Sequence, residues 1–234
     1  MHFIYACVWD KGEHFALNQD SFSLQAVYTG NGPYAMIILC DDGNYNGEPA
    51  AAGGYAVRIM TDWFYEHGLE LLCRKASGDR IYRSCRRALG DVHLQLKERA
   101  KHGGTAMATC FSMLILTSQQ YFYINVGGGS CYQIHGKNCE ISNLHKKIPT
   151  EQKVVLGVEE FPTAVFKYGN YRKKDRFLLC SDGFERCASE RGIKALGRRD
   201  LCKDEMEKLL EEIIIRGREK GERDSCTAIA IGRN

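Results

Sequence analysis

Proline is scarce, with 4 residues in 234, and nowhere do about 18 apolar residues follow one another, which excludes a membrane-spanning helix. The apolar run FIYACVW near the start lacks a basic leader and is followed at once by charge, so it reads as a first strand and not as a signal peptide. An excess of one charge is also missing. Lys and Arg number 32 against 29 Asp and Glu, and the resulting +3 is too small to imply a nucleic-acid or membrane surface, so neither is expected as a partner. Cysteine is plentiful at 11, yet the count is odd and no pair has C-x-x-C spacing. No Cys/His spacing matches a structural zinc site either. Cys40, Cys110, Cys180 and Cys226 sit inside apolar runs, where a thiol behaves as a small hydrophobe, so a reducing, cytoplasmic setting is expected.

A chain of this length is expected to form one domain, residues 1–234, burying roughly 70% of its unfolded surface. FIYACVW, SFSLQAVY and YAMIILC read as strands between Gly/Asn/Asp-rich turns. After Pro49 the period changes: Tyr55, Ile59, Trp63 and His67, with Met60 and Phe64 beside them, place an apolar stripe on a helix. Ile81, Cys85, Leu89, Val92 and Leu96 repeat the stripe in a second helix, and both are expected to pack on a sheet. Strands resume with ATCFSMLIL, YFYINV and SCYQIH, and a turn at Gly136, Lys137 and Asn138 predicts a hairpin returning through Cys139 to Ile141. Residues 143–174 are mixed and basic and read as a surface flap. The strand RFLLC, a helix with Met206, Leu209, Leu210, Ile213 and Ile214 on one face, and the strand CTAIAI complete the chain. Strand blocks broken by helix blocks, without regular alternation, predict α+β layers.

Three aspartates stand at the ends of apolar runs: Asp42 after AMIILC, Asp182 after RFLLC, and Asp224 just before SCTAIAIG. Carboxylates held at the rim of a core repel one another unless a cation neutralises them. Mg²⁺ and Mn²⁺ take all-oxygen ligand sets, and two such ions side by side activate water against a phosphoryl group. A single strand followed by Asp-Gly is weak evidence, because the same dipeptide is a common hairpin turn. Several together point to metal-assisted phosphate chemistry, and in DDG and SDG a glycine lets its backbone carbonyl approach an ion.

Seven segments in order resemble the motifs of the metal-dependent protein serine/threonine phosphatases, type 2C or PPM-type, in their compact bacterial form: DKGEHFALNQDSF, LCDDGNYNG, AMATC, INVGGGSCYQI, LGVEEF, RFLLCSDGF and RDSCTAIAIG. The resemblance spans nearly the whole chain. It implies an αββα sandwich, two central antiparallel sheets flanked by helices, with two Mn²⁺ or Mg²⁺ ions between the sheets. By motif position it implies Asp42 as the bridging ligand, Gly43 as a carbonyl ligand, and Asp182 and Asp224 as further ligands of the first ion. Asp20 is implied as the acidic residue that holds metal-bound water, with Gln19 as its neighbour. The implied reaction is attack of a bridging hydroxide on phosphoserine or phosphothreonine of a protein substrate, opposing a serine/threonine kinase.

Five positions depart from the family pattern. Phe15 stands in place of the arginine that grips phosphate, so substrate affinity is expected to fall unless Lys11, His14 or the basic stretch Arg172 to Lys174, which otherwise reads as a solvated loop, substitutes for it. Gly128 and Ser130 replace the Asp and Arg of one motif, so a third metal site is expected to be impaired. Asn44 leaves leaving-group protonation to water, and Ser225 replaces an asparagine that follows the last metal aspartate. The expected function is therefore phosphoprotein hydrolysis, with a pseudophosphatase that binds a phosphoprotein or kinase as the alternative. A metal nuclease is disfavoured because no basic, aromatic-interleaved track is visible.

Overall fold

The computed structural model describes residues 2–13, 16–42, 52–145, 154–158, 160–198 and 200–233. Its strands are β1 (Phe3–Asp10), β2 (Asp20–Thr29), β3 (Gly32–Asp41), β4 (Cys110–Leu116), β5 (Gln120–Val126), β6 (Ser130–Ile134), β7 (Ile141–Asn143), β8 (Val165–Asn170), β9 (Arg176–Cys180) and β10 (Cys226–Arg233). Its α-helices are α1 (Ala52–Trp63), α2 (Leu69–Cys73), α3 (Gly78–Gly103), α4 (Asp182–Cys187), α5 (Glu190–Ala195) and α6 (Lys203–Glu219). Two five-stranded sheets result, ordered β1-β10-β9-β6-β7 and β2-β3-β4-β5-β8, with every neighbouring pair antiparallel.

Alternation along the strands builds the layers. In β3, Ala35, Ile37 and Leu39 meet Phe177, Leu179, Ile229 and Ile231 of the other sheet. The intervening Met36, Ile38 and Cys40 meet Met60, Phe64, Cys85 and Leu89 of the helices outside. On the opposite flank, Leu178, Cys180, Ala228 and Ala230 lie under Phe184, Met206, Leu210 and Ile214. Both faces of the central strands are thus buried, which is why they read as continuous apolar runs. The order helix, sheet, sheet, helix is the αββα sandwich expected from the sequence.

Helix α3 buries the predicted stripe, Ile81, Cys85, Leu89, Val92 and Leu96, and adds His93. Ser77 caps its start by accepting a hydrogen bond from the Arg80 N–H, and Gly104, at φ 71°, ends it in the left-handed conformation. Helix α1 differs from the prediction. Its buried face is Ala52, Gly53, Ala56, Met60 and Trp63, whereas Tyr55 and Ile59 are half-buried and His67 is exposed. Small residues face inward because the backbone of this helix lies close to Asp42, and large side chains would hold it away. Tyr55 instead turns toward α3, where its hydroxyl donates to Gln95 and its ring carries Arg99 at 4.2 Å. A turn of π-helix follows at Phe64–Gly68, closed by the Leu69 N–H on the Phe64 carbonyl.

The hairpin forms as predicted, with Ile134 opposite Ile141 in register. Of the span 143–174, Val165–Asn170 is strand β8, while Val155 and Leu156 are buried and Leu156 bridges Thr109. The described part of that span is therefore sheet and core as well as loop. No described helix is long and apolar enough to cross a membrane.

Candidate active site

The aspartates gather at one end of the sandwich because of strand direction. Asp20 opens β2 directly opposite Asp41, the last residue of β3, and Asp42 follows. In the other sheet β9 ends at Cys180 and leads through Ser181 to Asp182, the first residue of α4. Strand β10 runs antiparallel to β9, so Asp224, two residues ahead of it, returns to the same end.

Residues 18–20 stitch the sheets together here. The Asn18 amide donates to the Asp10 carbonyl at 3.2 Å, and its Oδ1 accepts the Asp20 N–H at 2.7 Å. The Gln19 N–H donates to Ser225 Oγ at 3.1 Å, and that hydroxyl donates to the Lys11 carbonyl at 3.3 Å. Ser225, in place of the asparagine of the resembled motif, thus ties the first loop to the last strand.

Asp20 and Asp42 are buried at 6% and 1% exposure, and none of their four carboxylate oxygens has a hydrogen-bond partner among the described residues. Burial, and then the neighbouring Asp41 carboxylate, push Asp20 well above the usual carboxylate range; Asp224 adds to this. The hydroxyls of Thr227 and Ser181 lie near enough to oppose the shift without closing a hydrogen bond. Burial pushes Asp42 up to about 7, with Asp41 adding to it and the Thr109 hydroxyl and Gly53 N–H working against it. A Cβ on Gly53 would stand 2.6 Å from Asp42 Oδ1, so only glycine lets α1 pack there.

Asp182 is partly exposed, and its Oδ1 accepts the Gly129 N–H at 2.7 Å. Its Oδ2 lies over Gly128, where a Cβ would approach to 2.8 Å. Gly127 and Gly129, at φ 90° and 83°, make the tight connection that carries this contact. The glycine of the SDG motif has a packing role besides any approach to an ion. A Cβ on Gly183 would meet the Ser225 carbonyl at 2.0 Å, so its absence lets α4 lie against the segment that carries Asp224.

Asp224 is committed to protein groups. Its Oδ2 accepts from Arg186 Nη2 at 2.7 Å, its Oδ1 from the Ser225 N–H at 2.8 Å, and Arg186 Nε also donates to Glu222 at 2.7 Å. Among the described residues, no three His, Cys, Asp or Glu side chains converge to hold a metal ion. Taken singly, the Asp20 and Asp42 carboxylates nonetheless suit a hard cation, because buried carboxylate oxygens without a donor among the described residues require either protons or positive charge.

Gly43, His14, Phe15 and Asn44 lie outside the described residues. Lys173 and Lys174 precede β9, whereas Asp182 follows it, so the basic stretch lies at the opposite end of the strand and cannot supply the missing cation. Four steps along β9 correspond to roughly 13 Å. Sequence reasoning missed Gly53, Thr109 and Arg186. The Gly53-Gly54 pair opening a helical run was the available signal for close backbone approach. Arg186 had none, since its partner is 38 residues away. Cys187, next to it, is buried with its Sγ 3.8 Å from that of Cys226.

Among solved structures, a bacterial serine phosphatase aligns over 100% of this chain and 98% of its own, with TM-score 0.77 and 18% identity. The S. agalactiae serine/threonine phosphatase aligns over 100% of both chains, with TM-score 0.75 and 15% identity. The catalytic domain of the serine/threonine protein phosphatase PstP, in complex with two manganese ions, covers 99% of this chain and 98% of its own, with TM-score 0.67 and 18% identity. At these identities the likeness is one of fold. No protein-family model and no curated protein matches the sequence.

Proposed function

We propose that the protein is a metal-dependent phosphatase of the PPM type that hydrolyses phosphoserine or phosphothreonine in proteins. The observation that carries this reading is the burial of Asp20 and Asp42, at the rim where both sheets end, with no hydrogen-bond partner for their oxygens among the described residues. The fold shared with serine/threonine phosphatases, one of them holding two manganese ions, supports it. Asp42, the Gly43 carbonyl, Asp182 and Asp224 would hold two Mn²⁺ or Mg²⁺ ions. When bound, such ions neutralise the phosphoryl oxygens and supply a nucleophile from water at neutral pH.

The chain's own residues prepare that chemistry. Asp42 offers two oxygens that no described residue hydrogen-bonds, and the first turn of α1, packed close through Gly53, keeps bulk water from it. Asp20 accepts a proton-bearing group such as water without first losing another donor. The Gly129 N–H fixes the Asp182 rotamer while Oδ2 stays open above Gly128. With glycine at 128, the third-metal site is impaired. A serine/threonine kinase acting in opposition is the expected partner, and eleven free thiols support a reducing compartment.

A second reading is favoured by one observation. Arg186 already neutralises Asp224, so a binding module of this fold could hold a phosphoprotein without turnover. Phosphate release from a phosphothreonine peptide across a Mn²⁺ titration, with Asp182→Ala alongside, separates the two. Turnover that requires Mn²⁺ and disappears in the variant is expected. A folded wild type that stays silent at saturating Mn²⁺ would sink the enzyme reading in favour of the binder.

A further inference from the structure

At the end of the β1-β10-β9-β6-β7 sheet remote from the aspartates, a cavity of about 530 Å³ opens between the start of β9, the end of β10 and the connection from α5 to α6. Five cationic side chains line it, Lys173, Lys174, Arg176, Arg198 and Arg233, against two carboxylates, Asp175 and Asp200. The excess of positive charge in this one cavity equals that of the entire chain.

Of the two carboxylates, only Asp200 is at the surface. Asp175 is 3% exposed, and its oxygens are occupied by the Gly136 N–H at 3.1 Å, Gln133 Nε2 at 3.0 Å and the Arg172 N–H at 3.0 Å. Asp200 is exposed, and it offsets one of the surface cations. Arg176 is itself structural, since its Nη1 and Nη2 donate to the Leu196 and Leu201 carbonyls at 2.9 and 3.2 Å. That leaves Lys173, Lys174, Arg198 and Arg233 without an ion pair to any described carboxylate. Arg233 is oriented by the Tyr171 ring, 5.7 Å from its Cζ, and its Nε is buried without a hydrogen-bond partner among the described residues.

Cations gathered around a concavity repel one another and focus a positive potential into it, which an anion relieves. The volume lies within the roughly 300–1,000 Å³ typical of small-molecule sites. Guanidinium groups match phosphate oxygens as two-pronged donors, and lysines add point charge. We propose that this cavity is a second site, distinct from the aspartate cluster, that binds a small soluble polyanion carrying two or more phosphates. Ile4 and Leu201 form the apolar part of its wall, against which a ring attached to the phosphates would rest.

Titration calorimetry of the full chain with pyrophosphate and with ATP, in EDTA so that the aspartates hold no metal, tests the proposal. One binding site is expected, weakened at least tenfold in Lys174→Glu/Arg198→Glu and weakened by added NaCl, with Asp182→Ala binding as wild type does. Both charge-reversed residues are exposed, so the fold is retained, and circular dichroism checks this. Arg233→Gln provides an independent variant and should also weaken binding. Three results would overturn the site: no heat with either probe at millimolar concentration, affinity unchanged in the charge reversals, or affinity lost in Asp182→Ala alone.

Discussion

Arg186 holds Asp224 by a 2.7 Å hydrogen bond to Oδ2 while also gripping Glu222, so the carboxylate expected to bind metal is already paired with a cation of the chain. Arg186 is about half exposed and Asp224 is at 40%, and such a pair contributes no more than about 1 kcal/mol. A divalent ion can displace it.

Arg186→Gln therefore should tighten Mn²⁺ binding, by about three- to tenfold, since a pair worth about 1 kcal/mol and the repulsion of the guanidinium are both removed. Calorimetric Mn²⁺ titration of both proteins checks this. Equal affinities would mean that Asp224 does not meet the ion.

Asp42→Asn should stabilise the metal-free protein at pH 8 while removing Mn²⁺-dependent turnover. The folded-state value of about 7 lies above the ordinary 3.8, so ionised Asp42 opposes folding. The cost is absent below about pH 4, grows through the interval up to about 7 and is full above it, reaching a few kcal/mol. Urea unfolding in EDTA should show wild-type stability declining from pH 5 to 8, and a shallower decline in the variant. Asp20, also raised, accounts for what slope remains. An identical slope in both proteins would clear Asp42 of the effect.

Gly128→Asp tests the departure at the glycine-rich turn. Even a Cβ there stands 2.8 Å from Asp182 Oδ2, so the substitution pushes the Asp182 carboxylate off its seat on the Gly129 N–H and adds a second carboxylate beside it. The metal-free variant should lose about 1–3 kcal/mol and show a larger rise of Tm with Mn²⁺ than wild type. Gly128→Ala should share the loss without the larger rise. A Tm response to Mn²⁺ equal to that of wild type would leave the glycine without a role in metal binding.

Gly217→Ala probes the packing behind the site. Its Cβ would fall 2.0 Å from Cys187 Sγ, which overpacks α4 against α6. The penalty of about 1–3 kcal/mol for overpacking exceeds the gain of about 1 kcal/mol from a better helix former. Adding Cys187→Ala should restore part of it in thermal melts. A stabilised single variant would contradict the contact.

Several parts of the site were readable in advance because they are local. An apolar run ending in an acidic residue places that residue at a rim whatever sheet it joins, which is why Asp42 and Asp182 could be singled out. The turn at Gly136 to Asn138 depends only on near neighbours, and the hairpin formed. Helix α1 misled because large side chains mark an apolar stripe more visibly than Gly53 and Ala56, although these two face the core. The basic stretch before β9 was close in sequence to Asp182, but a strand separates residues along its length, and Lys174 ended at the other pole.

By itself the sequence determined the layers. Runs such as MIILC and FLLC have no polar face, and strands of that kind are stable only when covered on both sides. It also determined which carboxylates sit at strand ends. Tertiary structure alone decided that Asp20 faces Asp41, that Arg186 reaches Asp224, and that Lys174, Arg198 and Arg233 share a cavity. The first is the register of neighbouring strands β2 and β3, and the other two join segments that meet through the strand order β1-β10-β9-β6, which local propensity does not encode.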